Sequence, residues 1–187
     1  MTDARFERAI AAIDAANADD PTEKEPLHAR LVTEWVRRLR PDAGEELLLA
    51  ARAHHIRRWA IPRSSYPDGR AGYLRWRRDL HQAHARDVAE ILSAVGYDGA
   101  TVARVQDLVR KKGLGKDPDP DVQALEDALC LVFLETQFRE LADRLDPDKM
   151  VDVTRKTLVK MSDEAKTIAL SLDLPPEDRV VLAQALA

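Results

Sequence analysis

The sequence has a single cysteine and no long apolar run, and both absences exclude classes of protein. Cys130 has no second cysteine in the chain with which to form a disulfide, so we expect a reducing compartment, the cytoplasm. The longest purely apolar run is the stretch 128–134, far shorter than the roughly 20 residues of a membrane-spanning helix. The N-terminal residues M-T-D-A-R-F-E-R-A-I also lack an apolar segment of signal-peptide length. We therefore expect a cytoplasmic protein without membrane contact.

Aromatic residues and positive net charge are also scarce. Aromatic residues make up 5% of the chain, whereas hydrophobic residues make up 45% and charged residues 33%, a composition typical of soluble globular proteins. The net charge of -4 provides no overall positive field for nucleic acid. A nucleic-acid partner is therefore not expected, and the composition does not indicate an oligomeric state.

Helical periodicity dominates the chain, and no run of alternating apolar residues predicts a strand. The pattern predicts an all-α bundle of eight to nine helices in one domain, 1–187, with a core at 25–140 and C-terminal helices over 145–187. The predicted helices cover residues 3–16, 25–39, 44–59, 71–95, 101–110, 121–141, 147–160 and 163–172, and a short last helix begins at Pro175-Pro176.

Titratable residues interrupt the apolar stripes of four predicted helices. His28 lies in the second helix, His54 and His55 in the third, His84 in the fourth, and Asp127 in the central helix 121–141. Adjacent helical residues differ by about 100°, so His54 and His55 both reach one site only if it lies between their faces. Two interpretations follow. The inward-facing groups form a structural hydrogen-bonded network, or they bind a divalent metal, for which such nitrogen and oxygen ligands are suitable.

The segment A-A-R-A-H-H-I, residues 50–56, resembles the signature of the HD-domain superfamily of metal-dependent phosphohydrolases. In that superfamily an early His, an adjacent His-Asp pair and a late Asp hold divalent metal within an all-α domain. The order of His28, the pair His54-His55 and Asp127 in L-E-D-A-L-C-L agrees with it. H-A-R-D-V-A-E-I-L, which begins at His84, is similar to an additional metal-binding segment of many HD hydrolases.

Two positions depart from the HD pattern. His55 stands where the signature has Asp, and Arg110-Lys111-Lys112 stands where many HD proteins have a further histidine. The resemblance therefore implies an HD-like bundle with one divalent metal ion, whether Mn, Fe, Zn, Ni or Mg, rather than two. It implies that the metal is held by His28, His55 and Asp127 with His54 as an alternative or additional ligand, and that His84 is an extra ligand or proton donor. Apart from the resemblance, we expect Arg58 to act in catalysis by neutralising phosphate.

The whole chain, including I-P-R-S-S-Y-P and G-Y-L-R-W-R, resembles an uncharacterised family of domains of unknown function. Members of that family sometimes carry a glutamyl-tRNA-synthetase-like label. The residues do not support this label, because the chain has no H-x-G-H segment and no α/β nucleotide-binding pattern.

Arginine is concentrated beside the histidines. Between residues 50 and 86 there are nine arginines, two acids and no lysine, together with four aromatic residues. Arginine binds phosphate through a planar fork and stacks on aromatic rings. Either this segment is a solvated helix face with ordinary ion pairs, or it forms a pocket for a small anionic ligand. The predicted pocket residues are Arg57, Arg58, Arg63, Arg70, Tyr73, Trp76, Lys111 and Lys112.

Together these patterns favour a metal-dependent phosphohydrolase that acts on a small phosphorylated substrate, for example a nucleotide. Two other classes stay open. One is a catalytically silent anion-binding or regulatory module in which the histidines are structural, and the other is an iron-dependent HD-type oxidase.

Overall fold

The computed structural model describes residues 4–186, and this part of the chain contains helices and no strand. The prediction of an all-helical protein is confirmed, but eight to nine helices is too few. The predicted start of the first helix, residue 3, lies outside the described residues. The α-helices are α1 (Ala4–Ala18), α2 (Lys24–Leu39), α3 (Glu45–Ala53), α4 (Gly69–Val95), α5 (Gly99–Val109), α6 (Pro120–Thr136), α7 (Phe138–Ala142), α8 (Pro147–Leu158), α9 (Asp163–Ser171) and α10 (Pro176–Leu186), with short 3-10 helices at Arg58–Ala60 and Arg63–Ser65.

Several helices begin at side chains that accept hydrogen bonds from the first free backbone N–H groups. Asp98 caps α5, Asp119 caps α6, Asp146 caps α8 and Ser162 caps α9. Such caps typically stabilise a helix by about 1 kcal/mol. These starts agree with the boundaries predicted from periodicity to within two residues.

The core is built around α6, which packs against α2 and also contacts α3, α5, α7 and α9. Its buried side chains come from nearly every face, among them Val122, Leu125, Leu131 and Leu134. A helix that is apolar all round is surrounded by others, so the central position predicted for it is confirmed. No helix in the described part of the chain is long and apolar enough to cross a membrane.

The third helix ends earlier than its sequence pattern predicts. It stops at Ala53, ahead of both histidines, whereas the pattern extended it to residue 59. Two tertiary hydrogen bonds form in the segment that follows: the Arg57 N–H donates to Asn17 Oδ1 at 3.1 Å, and the Ile56 carbonyl oxygen lies 2.6 Å from His84 Nδ1. Arg57 itself adopts a left-handed conformation, with φ 50°. Partners from α1 and α4 therefore replace the continuing helix, and local sequence does not reveal them.

The central helix is also shorter than predicted. The sequence pattern continued it to residue 141, but α6 ends at Thr136, and α7 begins after Gln137, whose φ is -127°. The Thr136 hydroxyl donates to the Val132 carbonyl at 2.7 Å, a bond of the kind that often bends helices. No glycine or proline marks this break, which explains why the sequence did not predict it.

Candidate histidine cavity

All five histidines of the chain line one cavity of about 610 Å³. We call it the histidine cavity. His28 comes from α2, His54 and His55 from the turn after α3, and His81 and His84 from α4. Because α3 ends at Ala53, both His54 and His55 reach the cavity, which resolves the question that helical geometry left open. The fifth histidine, His81, was not among the predicted site residues, although it lies one helical turn before His84.

The imidazole rings contact one another directly. His28 and His55 stack with ring centroids 4.2 Å apart and planes 10° apart, and His54 and His55 stack at 4.9 Å. The ring centroid of His81 lies 6.2 Å from that of His54, and the ring centroid of His84 lies 6.1 Å from that of His55. The five rings therefore form one cluster rather than separate core residues.

The histidine rings are neutral at pH 7. Burial, with the nearby charge of Arg58, lowers the pKa of His28 and His84 to about 4. Burial, with the charge of Arg77, lowers the pKa of His81 to about 4. Burial also lowers the pKa of His54 and His55 well below the usual value. A neutral imidazole has one nitrogen with a free lone pair, so this cluster offers several potential ligands or proton acceptors.

Three buried ring nitrogens of the cluster lack a hydrogen-bond partner. They are His28 Nε2, His54 Nδ1 and His84 Nε2. His84 Nδ1 lies 2.6 Å from the Ile56 carbonyl oxygen and must donate its proton there, so Nε2 carries the free lone pair. Leaving a buried polar atom unpaired typically costs about 1–3 kcal/mol. Three such atoms at one cavity make it the candidate functional site of the described residues.

Two carboxylates stand beside the histidines. Glu25 Oε2 lies 3.2 Å from His55 Nδ1, and Glu25 Oε1 lies 3.8 Å from the Arg58 guanidinium. Burial raises the pKa of Glu25 to about 7, against the opposing charge of Arg58. Glu126, on the cavity wall, is buried, forms an ion pair with Lys111, and lies 3.9 Å from Lys160. Sequence reasoning singled out neither glutamate.

Asp127, the carboxylate predicted to hold metal, has other partners. Its Oδ1 accepts hydrogen bonds from Gln123 Nε2 at 2.9 Å and from the Ser162 N–H at 2.8 Å. It is not among the residues that line the histidine cavity, whereas its neighbour Glu126 is. Adjacent residues on α6 point about 100° apart, and periodicity alone did not indicate which of the two faces the histidines. In this arrangement Asp127 joins α6 to the start of α9.

Positive side chains outnumber negative ones on the cavity wall. Arg58 and Lys111, both predicted, line it, and Arg77, Lys156 and Lys160 line it as well, against the single carboxylate of Glu126. The sequence does contain a pattern that points to Lys156 and Lys160. Val153, Lys156, Thr157 and Lys160 recur at i, i+3, i+4 and i+7, the spacing of one helix face.

Aromatic rings hold the cavity arginines. The Arg58 guanidinium lies 4.7 Å from the centre of the Trp76 ring, and Trp76 donates from Nε1 to the Ile61 carbonyl at 2.8 Å. Tyr73 lines the cavity and contacts Arg77, whose guanidinium lies 5.9 Å from the ring centre. Trp76 therefore supports the site from behind, whereas Tyr73, like Phe133, lines the ligand space.

The remaining predicted anion-binding residues lie outside the cavity. Arg57 is exposed and its guanidinium is 3.8 Å from Asp87, and Arg63 donates to the carbonyls of Tyr66 and Pro67. Arg70 is exposed and does not line the cavity, and Lys112 pairs with Asp107 at 2.9 Å. These four residues are close to the cavity residues in the sequence, but their side chains do not line the cavity.

The donor atoms of the cluster suit a divalent metal, but their present positions do not enclose one. Within residues 4–186, no three His, Cys, Asp or Glu side chains are grouped so that they could hold a metal ion. A bound metal lies near the plane of each imidazole that ligates it. One ion therefore cannot serve His28 and His55 together while their rings are stacked in parallel. Metal binding therefore requires at least one ring to turn, and the ligand assignment stays a prediction.

A second depression of about 500 Å³ adjoins the histidine cavity, and we call it the side groove. It is lined by residues of α2, α6 and α7, together with His55 and Arg58. Phe133 and Leu141 belong to both walls, so the two spaces are continuous.

Comparison with known proteins supplies a family and no activity. A family model described as a domain of unknown function, DUF4202, matches residues 7–182. No curated protein and no solved structure matches the chain.

Proposed function

The chain belongs to the DUF4202 family of domains of unknown function, and from the histidine cavity we propose that it is a metal-dependent phosphohydrolase. Its substrate is a small phosphorylated molecule. The observation that carries this proposal is that three unpartnered imidazole nitrogens and a surplus of positive side chains line the same cavity. The likeness to HD-domain phosphohydrolases in the order of His28 and the pair His54-His55 supports the same chemistry, whereas Asp127, the late Asp of that pattern, lies outside the cavity.

In this proposal the positive side chains bind the phosphate group of the substrate. Arg58, Arg77, Lys111, Lys156 and Lys160 face a space that has one carboxylate of its own, already paired with Lys111. Arg58 is held against Trp76 and beside Glu25, so its guanidinium is positioned before a ligand arrives. Guanidinium groups fixed in this way stabilise the negative charge that develops on a phosphoryl group.

In this proposal the histidines hold the metal ion. We assign the ligand role to His28, His54 and His84, because each of these rings has a buried nitrogen without a hydrogen-bond partner. When bound, a divalent metal lowers the pKa of its water molecule toward neutrality and polarises a phosphoryl oxygen. His55, whose Nδ1 lies 3.2 Å from Glu25 Oε2, is then available to hold or transfer a proton at Nε2 rather than to ligate.

A catalytically silent anion-binding module is the second candidate. The specific observation in its favour is that the positive wall is already in place, whereas no three ligands are grouped for a metal among the described residues. In this function the cavity binds a phosphorylated ligand and does not convert it.

Hydrolysis of 4-nitrophenyl phosphate, with Mn, Fe, Zn, Ni or Mg added separately, tests the proposal. We expect metal-dependent release of phosphate that is lost in His54→Gln and strongly reduced in Lys156→Ala. Arg70→Ala, an exposed arginine outside the cavity, serves as the matched control and keeps full activity. Tight phosphate binding without turnover under any metal supports the silent module instead. An iron-loaded, coloured preparation that consumes oxygen supports the oxidase alternative.

A further inference from the structure

The side groove meets the histidine cavity at a shared wall. Residues from α2, the turn after α3 and the junction of α6 with α7 belong to both spaces. They are His28, His55, Arg58, Phe133, Gln137 and Leu141. A ligand bound against Arg58 is therefore next to the side groove, and any part of it that extends toward α7 enters that groove. Each space is within the size range of small-molecule sites, about 300–1,000 Å³.

The two spaces differ in whether their charged side chains are paired with a side chain of opposite charge. In the side groove, charged side chains of opposite sign lie close together, since Lys24 and Arg144 each lie 3.9 Å from Glu140. In the histidine cavity, Lys156 and Arg77 face the ligand space, and within residues 4–186 no carboxylate forms a salt bridge with either. Attraction for an anion is therefore concentrated in the histidine cavity and weak in the side groove.

The side groove has an apolar strip that nothing in the fold covers. Leu27 at its edge is 49% exposed. Leu31, Phe133 and Leu141 continue the strip toward the shared wall. Phe133 is held by an edge-to-face contact with Phe138, whose ring centre is 5.9 Å away. Gln137 adds an amide at the junction, where one polar atom of a ligand finds a partner.

We propose that the side groove binds the organic part of the substrate, and that this part is an uncharged aryl or alkyl group. The inference rests on the proposed function, because it takes the phosphate to lie in the histidine cavity. It makes the substrate a phosphate ester rather than phosphate, pyrophosphate or a longer polyphosphate. A second phosphate group would have to lie against paired charges and leucine side chains, whereas an apolar group there removes Leu27 and Leu31 from water.

Calorimetric titration of the full chain with inorganic phosphate and with phenyl phosphate tests the inference. The two probes differ by one phenyl ring, and near pH 8 both are largely dianions. We expect phenyl phosphate to bind about tenfold more tightly, because the ring loses apolar contact with water. Leu27→Gln should reduce this ratio about threefold and leave the affinity for inorganic phosphate unchanged. Leu170→Gln, at a leucine 55% exposed and outside both spaces, is the matched control and should change neither.

The outcomes separate the inference from the function on which it rests. Equal affinities for the two probes, or equal losses for both in Leu27→Gln, overturn the side groove as a substrate site and leave the phosphate site standing. If neither probe binds, with or without Mn²⁺, the phosphate site itself is absent and both proposals fail.

Discussion

Lys111 is the residue whose surroundings differ most from what its place in the sequence suggests. It lies in a basic loop of the kind that is usually solvated, yet its side chain is only 14% exposed and pairs with the buried carboxylate of Glu126. Its backbone is left-handed, with φ 56°, a conformation uncommon for a residue other than glycine. The backbone strain and the buried ion pair together hold one positive charge at the wall of the histidine cavity.

Replacing Lys111 with methionine should destabilise the protein by about 3 kcal/mol, because it leaves the carboxylate of Glu126 buried without its close partner. Lys112→Met is the matched control, since Lys112 is exposed and its pairing with Asp107 is worth less than about 1 kcal/mol. Urea denaturation of both variants measures the difference. Similar losses of unfolding free energy in the two variants would show that the buried Lys111–Glu126 pair stabilises the fold no more than the exposed pair does. Adding Glu126→Gln to Lys111→Met should recover most of the lost stability.

At the scale of elements, the start of α4 is fixed by the close approach of Gly72 to the preceding loop. A Cβ atom at Gly72 would lie 1.9 Å from the Pro67 carbonyl oxygen. Arg63 donates to the same carbonyl and to that of Tyr66, so loop 61–68 is tied both to itself and to the helix. This contact sets the position of Tyr73 and Arg77 on the next turns of α4.

Gly72→Ala should destabilise the protein by about 2 kcal/mol, although alanine is the better helix former, because its methyl group forces the loop away from α4. Gly99→Ala provides the contrast. Gly99 lies in the first turn of α5 with nothing within 4 Å of the added atom, so this change should be neutral or slightly stabilising. Thermal unfolding of the two variants measures both effects. A stable Gly72→Ala variant would show that the loop moves without cost.

The sequence predicts the elements well where the signal lies within the helix itself. Apolar stripes predicted the fold class and most helix starts, and the stripe of α4 placed His84 correctly in the interior. The predicted end of α3 was wrong because Asn17 and His84, which are distant in sequence, form hydrogen bonds with the backbone of the following turn. The choice between Asp127 and Glu126 depends on the packing of α6 against α5 and α9, and no local pattern contains that information.

At the scale of the whole molecule, an acidic protein with a net charge of -4 has a positive cavity wall around neutral histidines. Lys156 comes from α8 and Lys160 from the turn after it, whereas Arg58, Arg77 and Lys111 come from the region that resembles HD domains. The cavity is therefore assembled from distant parts of the chain. The arginine-rich segment predicted an anion site, but only the fold selects Arg58 and Arg77 over Arg57, Arg63 and Arg70.

The buried histidines predict how stability depends on pH. In the folded protein the pKa of His28, His81 and His84 is about 4, against 6.5 as the usual value. The unfolded chain binds more protons between these values, so the free energy of unfolding should fall as the pH drops from about 6.5 toward 4. Glu25 opposes this trend, since its pKa is raised to about 7 and its stabilising protonated form is lost above that pH. Three imidazoles outweigh one carboxyl group, so the net effect is acid destabilisation.

His81→Gln should make this pH dependence shallower by about 1 kcal/mol per pH unit near pH 5, because one imidazole no longer takes up a proton on unfolding. Urea denaturation at pH 5, 6 and 7 for the parent and the variant measures the slope. The same slope in both proteins, or greater stability at pH 5 than at pH 7, would contradict the assignment of neutral buried rings.

The number of divalent ions bound per chain tests the central claim most directly. The measurement is elemental analysis after incubation with Mn, Fe, Zn, Ni or Mg salts and removal of unbound ion, on protein without a histidine tag. We predict close to one ion per chain in the parent and in Arg70→Ala, and almost none in His54→Gln, which removes an unpartnered nitrogen ligand. No bound ion in the parent, or equal binding in His54→Gln, would contradict a metal-dependent hydrolase at the histidine cavity.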